Sequence, residues 1–321
     1  MIKRTVEISQ QPAYLCVKDD QLLVVARDEE RTILARIPCE DIGVVLVEHP
    51  ATTFSHAALT RLLYHGAVLV ICGRDHLPAG MLLPVGQHTR IVPRIHLQIG
   101  LRKPVRKRLW KQIVQAKIRA QADNFPPASP AHARLLGLAR TVRSGDPTNV
   151  EAQAARAYWA AYRDELDAPD FRRLADGSPP NNLLNYGYAV LRAAVARAVV
   201  AAGFVPALGL HHHNRSNAFC LADDLIEPLR PLVDDCVRDL CGAGTGELDT
   251  ATKTTLLELL TATVCTGDQT GPLMVALHHM VASLVRCYEG TDRKLLIPIA
   301  ESEPPASAGS PANPGEGLDN C

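Results

Sequence analysis

The feature that most constrains the fold is a change of hydrophobic pattern near residue 88. Before it, short β-branched runs separated by polar turn clusters recur at 13–17, 22–27, 33–37, 43–48 and 67–72. Runs of this length and composition are typical of strands, whereas the stretch 53–65 predicts one helix among them. Residues 1–88 are therefore predicted to form a small β-rich domain, a sheet or sandwich with one helix.

After residue 88 the apolar residues recur at helical spacing. Residues 89–101 are interpreted as a linker, and helices are predicted over 102–123, near 131–143, from about Val150, over 184–199, and near 223–241, 251–264 and 271–288. Helical periodicity over so many consecutive segments predicts an all-α domain at 102–298. The fold class is thus α+β, and the Pro-, Ser-, Ala- and Gly-containing stretch 299–321 is expected to be a disordered tail.

The charges of the chain balance overall but not locally. The 321 residues include 34 basic and 34 acidic side chains, and their length suggests about two domains. Residues 89–145 hold thirteen Lys or Arg and one acid, whereas 221–250 hold eight acids and two arginines. This asymmetry indicates a polyanion held beside an acidic, metal-charged site.

The basic, amphipathic helix at 102–119 is the candidate nucleic-acid contact. Its proposed phosphate ligands are Arg102, Lys103, Arg106, Lys107 and Lys111. Such side chains neutralise backbone phosphates without reading sequence. From the charge pattern by itself, a solvated helix face is an equally good interpretation.

The remaining composition favours a cytoplasmic protein. Nine cysteines are scattered without disulfide or zinc spacing, which is typical of reduced thiols. The first ten residues lack the apolar core of a signal peptide. The nearly apolar run at 198–210 is shorter than the ~20 residues of a membrane-spanning helix, so no membrane association is expected.

A candidate metal site lies in residues 209–235. This segment contains His212, Asp224 and Glu227, and the two carboxylates are three residues apart, so a helical turn would place them on one face. An imidazole with carboxylates suits Mg²⁺ or Mn²⁺. Each feature also has a simpler explanation, because a histidine run is more often on the surface and acids are common at helix N-termini.

Glu151 has two interpretations. Thr148-x-x-Glu151 matches the capping box that begins many helices, and the residues by themselves favour that structural role. The alternative, that Glu151 is a metal ligand, depends on the resemblance described next.

Four segments, taken in order, resemble one known family. They are Asn149–Ala155, Leu184–Arg192, Gly209–His212 and Asp224–Pro231. Together they are similar to the CRISPR-associated spacer-acquisition integrases, the "Cas one" family, in the form that accompanies single-protein type II effectors. The resemblance extends from residue 1 to about 295, and four motifs in family order are far more specific than any one of them.

The resemblance implies a site and a reaction. It places catalytic metal ligands on Glu151, His212 and Glu227, with Asp224 orienting the site from behind. Ala152 stands where glycine is frequent in the family, which leaves the ligand at Glu151 intact. The implied reaction is attack of a DNA 3′-hydroxyl on a phosphodiester of the CRISPR repeat, with Mg²⁺ or Mn²⁺ as cofactor.

The resemblance also implies partners. These are double-stranded DNA (prespacer and CRISPR repeat), a second copy of the chain bound through residues 1–88, and a small ferredoxin-like second Cas protein that bridges two dimers. Two alternatives stay open. One is a metal-dependent nuclease acting on branched or repair DNA, and the other is a DNA-binding scaffold without activity.

Overall fold

The N-terminal part of the molecule consists of two sheets that enclose a small core. The computed structural model describes residues 3–73, 78–86, 88–174 and 177–300. The strands here are β1 (Arg4–Ile8), β2 (Ala13–Lys18), β3 (Gln21–Ala26), β4 (Ile33–Pro38), β5 (Ile42–Val47), β6 (Thr53–Phe54), β7 (Val68–Cys72) and β8 (Pro78–Leu82). One sheet has the order β1-β5-β7-β8 and the other β4-β3-β2-β6.

The sheet β1-β5-β7-β8 is covered on both faces. Leu69 packs with the second sheet and with Leu62 of helix α1 (His56–Tyr64), whereas Val44 and Val70 face the C-terminal helices. Strands buried on both faces require continuous apolar runs rather than alternation, which explains the six buried residues of β5. The predicted β-rich region with one helix is confirmed.

The C-terminal part is mostly helical, and α6 is its central helix. Its helices are α2 (Ile91–Ile99), α3 (Lys103–Asp123), α4 (Pro130–Thr141), α5 (Val150–Glu165), α6 (Asn181–Ala201), α7 (Cys220–Ile226), α8 (Arg230–Gly242), α9 (Thr250–Glu258) and α10 (Leu273–Glu289). Among the described residues α6 is long and apolar enough to cross a membrane, but 83% of its most apolar window is buried inside the fold. Packing in the core therefore accounts for its composition.

Two expectations about this part are corrected. The stretch 89–101, interpreted as a linker, contains α2, whose Arg94 pairs with Glu289 at 2.5 Å and whose Gln98 amide donates to Val205 O at 3.0 Å. A helix that is pinned by its polar side chains in this way belongs to the helical core.

The all-α expectation for 102–298 is also corrected, because β9 (Thr263–Thr266), β10 (Gln269–Pro272) and β11 (Ile299–Ala300) form a small antiparallel sheet. The predicted helix 251–264 therefore ends early, at Glu258. Ile299 and Ala300, assigned to the tail, pair with β9, and residues 301–321 lie outside the described residues.

Buried polar contacts join the two parts of the chain. The Arg197 guanidinium of α6 donates to Gly66 O at 2.6 Å, and Lys253 of α9 pairs with Glu48 just after β5. Both side chains of the Lys253–Glu48 pair are almost fully buried, and removing one partner of such a pair is costly. The division at residue 88 remains a prediction, although apolar packing and ion pairs cross it.

Candidate active site

Glu151 lies in the first turn of α5, but its carboxylate does not cap the helix. The N-cap residue is Asn149, whose Oδ1 accepts from Ala152 N at 3.3 Å. The Asp146 carboxylate accepts from the backbone amides of Val150 and Glu151 at 2.9 and 3.0 Å. Because other side chains satisfy the free amides, the capping-box interpretation of Thr148-x-x-Glu151 is wrong, and the Glu151 carboxylate extends to another helix.

That other helix is α3, and the contact is with Lys117. The Lys117 ammonium is 2.7 Å from Glu151 Oε1 and 2.6 Å from Glu227 Oε2. Glu227 belongs to a short 3-10 turn between α7 and α8, where Pro228 interrupts the α-helix predicted over 223–241. Lys117 therefore joins carboxylates that are 76 residues apart in the chain.

Glu227 is held ionised in a nearly closed environment. Its side chain is 9% exposed, and its Oε1 accepts from Arg230 Nε at 3.0 Å. Burial opposes the charge, but the cations of Arg230 and Lys117 outweigh it and lower the pKa of Glu227 to about 2. The two glutamates are thus positioned as oxygen donors beside a cation.

Asp224 orients the His212 ring through a hydrogen bond to its Nδ1. Asp224 is fully buried and accepts from the backbone amides of Leu210, His211 and His212, as well as from His212 Nδ1 at 2.7 Å. The hydrogen bond to Asp224, followed by the Asp224, Glu227 and Glu151 charges, raises the pKa of His212. Since Nδ1 is bound to a carboxylate, Nε2 is the nitrogen left for a ligand.

The close approach of this loop to Asp224 requires a glycine. A Cβ on Gly209 would be 2.4 Å from His212 O and 3.0 Å from Asp224 Oδ2. Trp110 of α3 stacks on the ring of His211, with centroids 4.1 Å apart and planes 3° from parallel, and meets His212 edge-on. The glycine and the Trp110 stack together fix the histidine loop against α3.

Glu151, His212 and Glu227 therefore meet in one region, but not as a ready-made metal site. Across residues 3–73, 78–86, 88–174 and 177–300, no three His, Cys, Asp or Glu side chains are gathered closely enough to hold a metal ion as they stand. The residue types fit a hard-to-borderline divalent cation. The Lys117 ammonium lies between the Glu151 and Glu227 carboxylates. These carboxylates could therefore hold a metal only if the ammonium moves away.

The site opens into a cleft of about 690 Å³ that carries several cations. Its charged lining includes Lys117, Arg173, Arg192 and Arg230, together with His212, Asp223, Glu227 and Asp234. Basic residues from other helices pair with the carboxylates of the acidic segment 221–250 that line this cleft, Asp223 and Glu227. Arg192, for example, donates to Asp223 Oδ2 at 2.7 Å.

Asp234 lies at the inner end of the cleft in a buried hydrogen-bonded network. Its carboxylate accepts from the hydroxyls of Tyr158, at 2.9 Å, and Tyr188, and its backbone carbonyl accepts from Tyr162 at 2.6 Å. The Arg230 guanidinium lies over the Tyr188 ring, 4.6 Å from its centroid. This network positions the helix that carries Arg230.

Comparisons with known proteins identify the family to which this fold belongs. The family described as "CRISPR associated protein Cas1" matches residues 6–255. The chain is 40% identical over 273 residues to the CRISPR-associated endonuclease Cas1 of Neisseria meningitidis, covering 84% of this chain and 87% of the relative. The chain belongs to the Cas1 family.

Two solved structures share the fold. A casposase bound to integration product superposes with a TM-score of 0.74 at 18% identity, covering 92% of this chain and 93% of the casposase. The chain of a Cas6-RT-Cas1–Cas2 complex superposes with a TM-score of 0.73 at 17% identity, covering 92% of this chain and 36% of that one. The α+β fold class predicted from the sequence is that of the Cas1 proteins.

Sequence reasoning missed three side chains of this candidate site, namely Lys117, Arg230 and Trp110. Lys117 was treated as one charge of a basic helix, and Arg230 as part of a motif. The available signal was the seven-residue spacing of Trp110 and Lys117, which is about two helical turns and places both on one face of α3. What they contact there depends on the packing of other helices.

The predicted DNA-contacting residues occupy different faces of α3. At about 100° per residue, Arg106 lies about 20° from the direction of Lys117, whereas Lys111 lies about 120° from it. Arg102, Lys103 and Lys107 are exposed, and Arg106 and Lys111 are partly buried. The end of α3 that precedes the site therefore presents a basic surface beside it.

Proposed function

We propose that this Cas1-family chain is a metal-dependent DNA integrase that inserts spacer DNA into a CRISPR array. The observation that carries the proposal is that Lys117 links Glu151 to Glu227 beside a cation-lined cleft, which Glu227 and His212 line, in a chain of this family. The relative named as a CRISPR-associated endonuclease and the structural neighbour named as a casposase bound to integration product support the same reaction class.

In the proposed reaction a DNA 3′-hydroxyl attacks a repeat phosphodiester. A new P–O bond forms as the attacking hydroxyl releases its proton, the P–O bond to the 3′-oxygen of the attacked strand breaks, and that oxygen takes up a proton, so protons and P–O bonds balance. Glu151 and Glu227 would hold Mg²⁺ or Mn²⁺ as oxygen ligands, and the cation would polarise the phosphate and stabilise charge on the exchanging oxygens.

The protein's own groups have separate tasks in this reaction. His212 Nε2 serves as a nitrogen ligand or as the proton donor to the leaving oxygen, with Asp224 holding the ring from behind. Arg173 and Arg192 bind phosphate at the cleft, because a guanidinium matches phosphate geometry. Arg230 fixes the Glu227 carboxylate through its Nε–H.

An integration assay tests the proposal against its alternatives. A labelled duplex with free 3′-hydroxyls is incubated with a supercoiled plasmid carrying the repeat, with and without Mn²⁺. Label transferred to the plasmid only with metal supports an integrase. Cleavage of branched DNA without transfer would favour the nuclease, and binding without either product would favour the scaffold.

The proposed contact of α3 with DNA leads to a salt-dependence prediction. Changing Arg106, Lys107 and Lys111 together to Ala should lower affinity similarly for unrelated duplexes. It should also flatten the slope of log K against log salt by up to about three, because each neutralised phosphate releases counterions. Fluorescence anisotropy titrations between 50 and 300 mM salt would measure both effects, with circular dichroism to verify folding.

A matched control removes the same number of charges from the other part of the molecule. Lys18, Arg31 and Arg36 are exposed in the N-terminal part, and their triple Ala variant should leave the slope unchanged when light scattering gives the same molecular mass as for wild type. An unchanged slope in the folded α3 variant would remove this helix from the DNA path.

We also propose a homodimer formed through the N-terminal sheets, to which a small second Cas protein binds and bridges two dimers. Most of the exposed large apolar side chains lie in this part, among them Tyr14, Ile33, Leu34, Ile71 and Leu82. An excess of exposed apolar side chains in one part of a molecule favours an interaction surface there. Light scattering at micromolar concentration should give twice the 34.8 kDa chain mass, and a stable monomer would contradict the proposal. A cytoplasmic location fits these partners.

A further inference from the structure

We propose that Lys117 is an internal cation that competes with the divalent metal for Glu151 and Glu227. Metal loading then displaces its ammonium group into the cleft. The inference rests on the proposed metal-dependent function and deepens it, because it assigns a regulatory role to a residue of the same site.

The Lys117 ammonium lies between the carboxylates of Glu151 and Glu227. The ammonium is 2.7 Å from Glu151 Oε1 and 2.6 Å from Glu227 Oε2, and the Lys117 side chain is only 13% exposed. The residues come from α3, α5 and the turn before α8, so the contact is made by tertiary packing. Without the ammonium, two carboxylates in a low-exposure region would repel each other.

The ammonium and a metal ion cannot share this position. Mg²⁺ binds carboxylate oxygens at about 2.0–2.1 Å, which uses the lone pairs that Lys117 engages. A divalent cation bridging Glu151 and Glu227 would also stand within a few ångströms of a like charge, where repulsion is strong. The two cations are therefore alternatives.

A displaced Lys117 side chain has room in the adjoining cleft. Lysine carries its charge on a flexible four-carbon stem, unlike the rigid fork of arginine. Lys117 itself lines the cleft of about 690 Å³ in which the proposed reaction takes place. The displaced ammonium would remain in this cleft and add a positive charge where phosphates bind, so metal and DNA binding should reinforce each other.

Direct metal titration tests the competition. Mn²⁺ is titrated into the full-length protein and followed by electron paramagnetic resonance, for wild type, Lys117→Met, Lys117→Arg and the exposed control Lys294→Met. Lys117→Met should bind Mn²⁺ roughly tenfold more tightly or better, because the competing charge is gone. Lys294→Met should match wild type, and Lys117→Arg, which keeps the charge, should not bind more tightly than wild type.

A second measurement needs no variant, in case Lys117→Met does not fold. Wild-type protein is treated with an amine-acylating reagent at increasing Mg²⁺, and modification of each lysine is followed by mass spectrometry. Saturating Mg²⁺ should increase modification of Lys117 several-fold, and modification of Lys294 should not change. Unchanged protection of Lys117 at saturating metal would overturn the proposal.

The outcomes separate this inference from the proposed function. If Lys117→Met binds Mn²⁺ no more tightly than wild type, the competition is wrong, but the metal site stands. If the single variant Glu151→Gln binds Mn²⁺ as tightly as wild type does, the metal is not held by this carboxylate, and both proposals fail.

Discussion

Glu151→Gln is expected to lower the rate of strand joining by about a thousandfold or more while leaving the protein folded. The substitution keeps the size of the side chain and removes the negative charge that we propose as a metal ligand. A bound cation supplies several kcal/mol of transition-state stabilisation, and each 1.36 kcal/mol corresponds to a factor of ten in rate. Single-turnover integration with labelled duplex and repeat plasmid would measure the loss.

The control for this variant lies on the same helix. Glu165 is the last residue of α5 and pairs with Arg238 at 3.2 Å on the surface, far along the helix from Glu151. Glu165→Gln should join DNA at close to the wild-type rate, because exposed ion pairs contribute little. If a folded Glu151→Ala protein joined DNA at the wild-type rate, Glu151 would have only a structural role at the start of α5.

Asp234→Ala is expected to lower the free energy of unfolding by about 3–5 kcal/mol. The carboxylate is fully buried and accepts from the hydroxyls of Tyr158 and Tyr188. Its removal therefore leaves two buried hydroxyls without an acceptor. Thermal denaturation should show a midpoint roughly 10 °C lower. Asp239→Ala, an exposed substitution on the same helix, should shift the midpoint little.

The same carboxylate gives a pH dependence with a defined sign. Burial raises the pKa of Asp234 to about 6 from 3.8, although the tyrosine hydroxyls and the Arg230 charge act in the opposite direction. Stability from Asp234 is therefore present below pH 4 and is lost as the pH rises through 6. The side chain of an Asp234→Asn variant does not titrate, so this variant does not lose stability at this position as the pH rises.

The pH measurement compares the two proteins directly. Melting temperatures of wild type and Asp234→Asn are recorded from pH 4.5 to pH 7.5, so that other titrating groups cancel. Wild type should lose stability relative to the variant over this range. A constant difference would show that Asp234 keeps the same protonation state in the folded and unfolded protein.

The sequence by itself determined the broad architecture and the family. β-Branched runs predicted five strands close to their observed bounds, and the helix predicted over 53–65 is α1, which begins after Ser55, whose hydroxyl accepts from Ala58 N at 3.1 Å. These features are local, because strand pattern and helix capping depend on neighbours within a few residues. The family motifs were likewise readable because each is a short contiguous segment.

Tertiary packing alone decided the arrangement of the site. The spacing of Thr148 and Glu151 fits a capping box. Only the structure shows that Asp146 and Asn149 accept from the first amides of α5, so that the Glu151 carboxylate pairs with Lys117 instead. The strands β9–β11 were missed for a related reason, since β11 pairs with residues more than thirty positions earlier.

Asp224 shows the same limit at the histidine loop. Its three backbone partners and His212 are all within fifteen residues, yet no spacing rule would predict that one buried carboxylate accepts from all of them. Lys117 lies between two glutamates because α3, α5 and the turn before α8 converge there. Periodicity indicates which face of a helix is buried, but the charge that the face meets is set by helices distant in sequence.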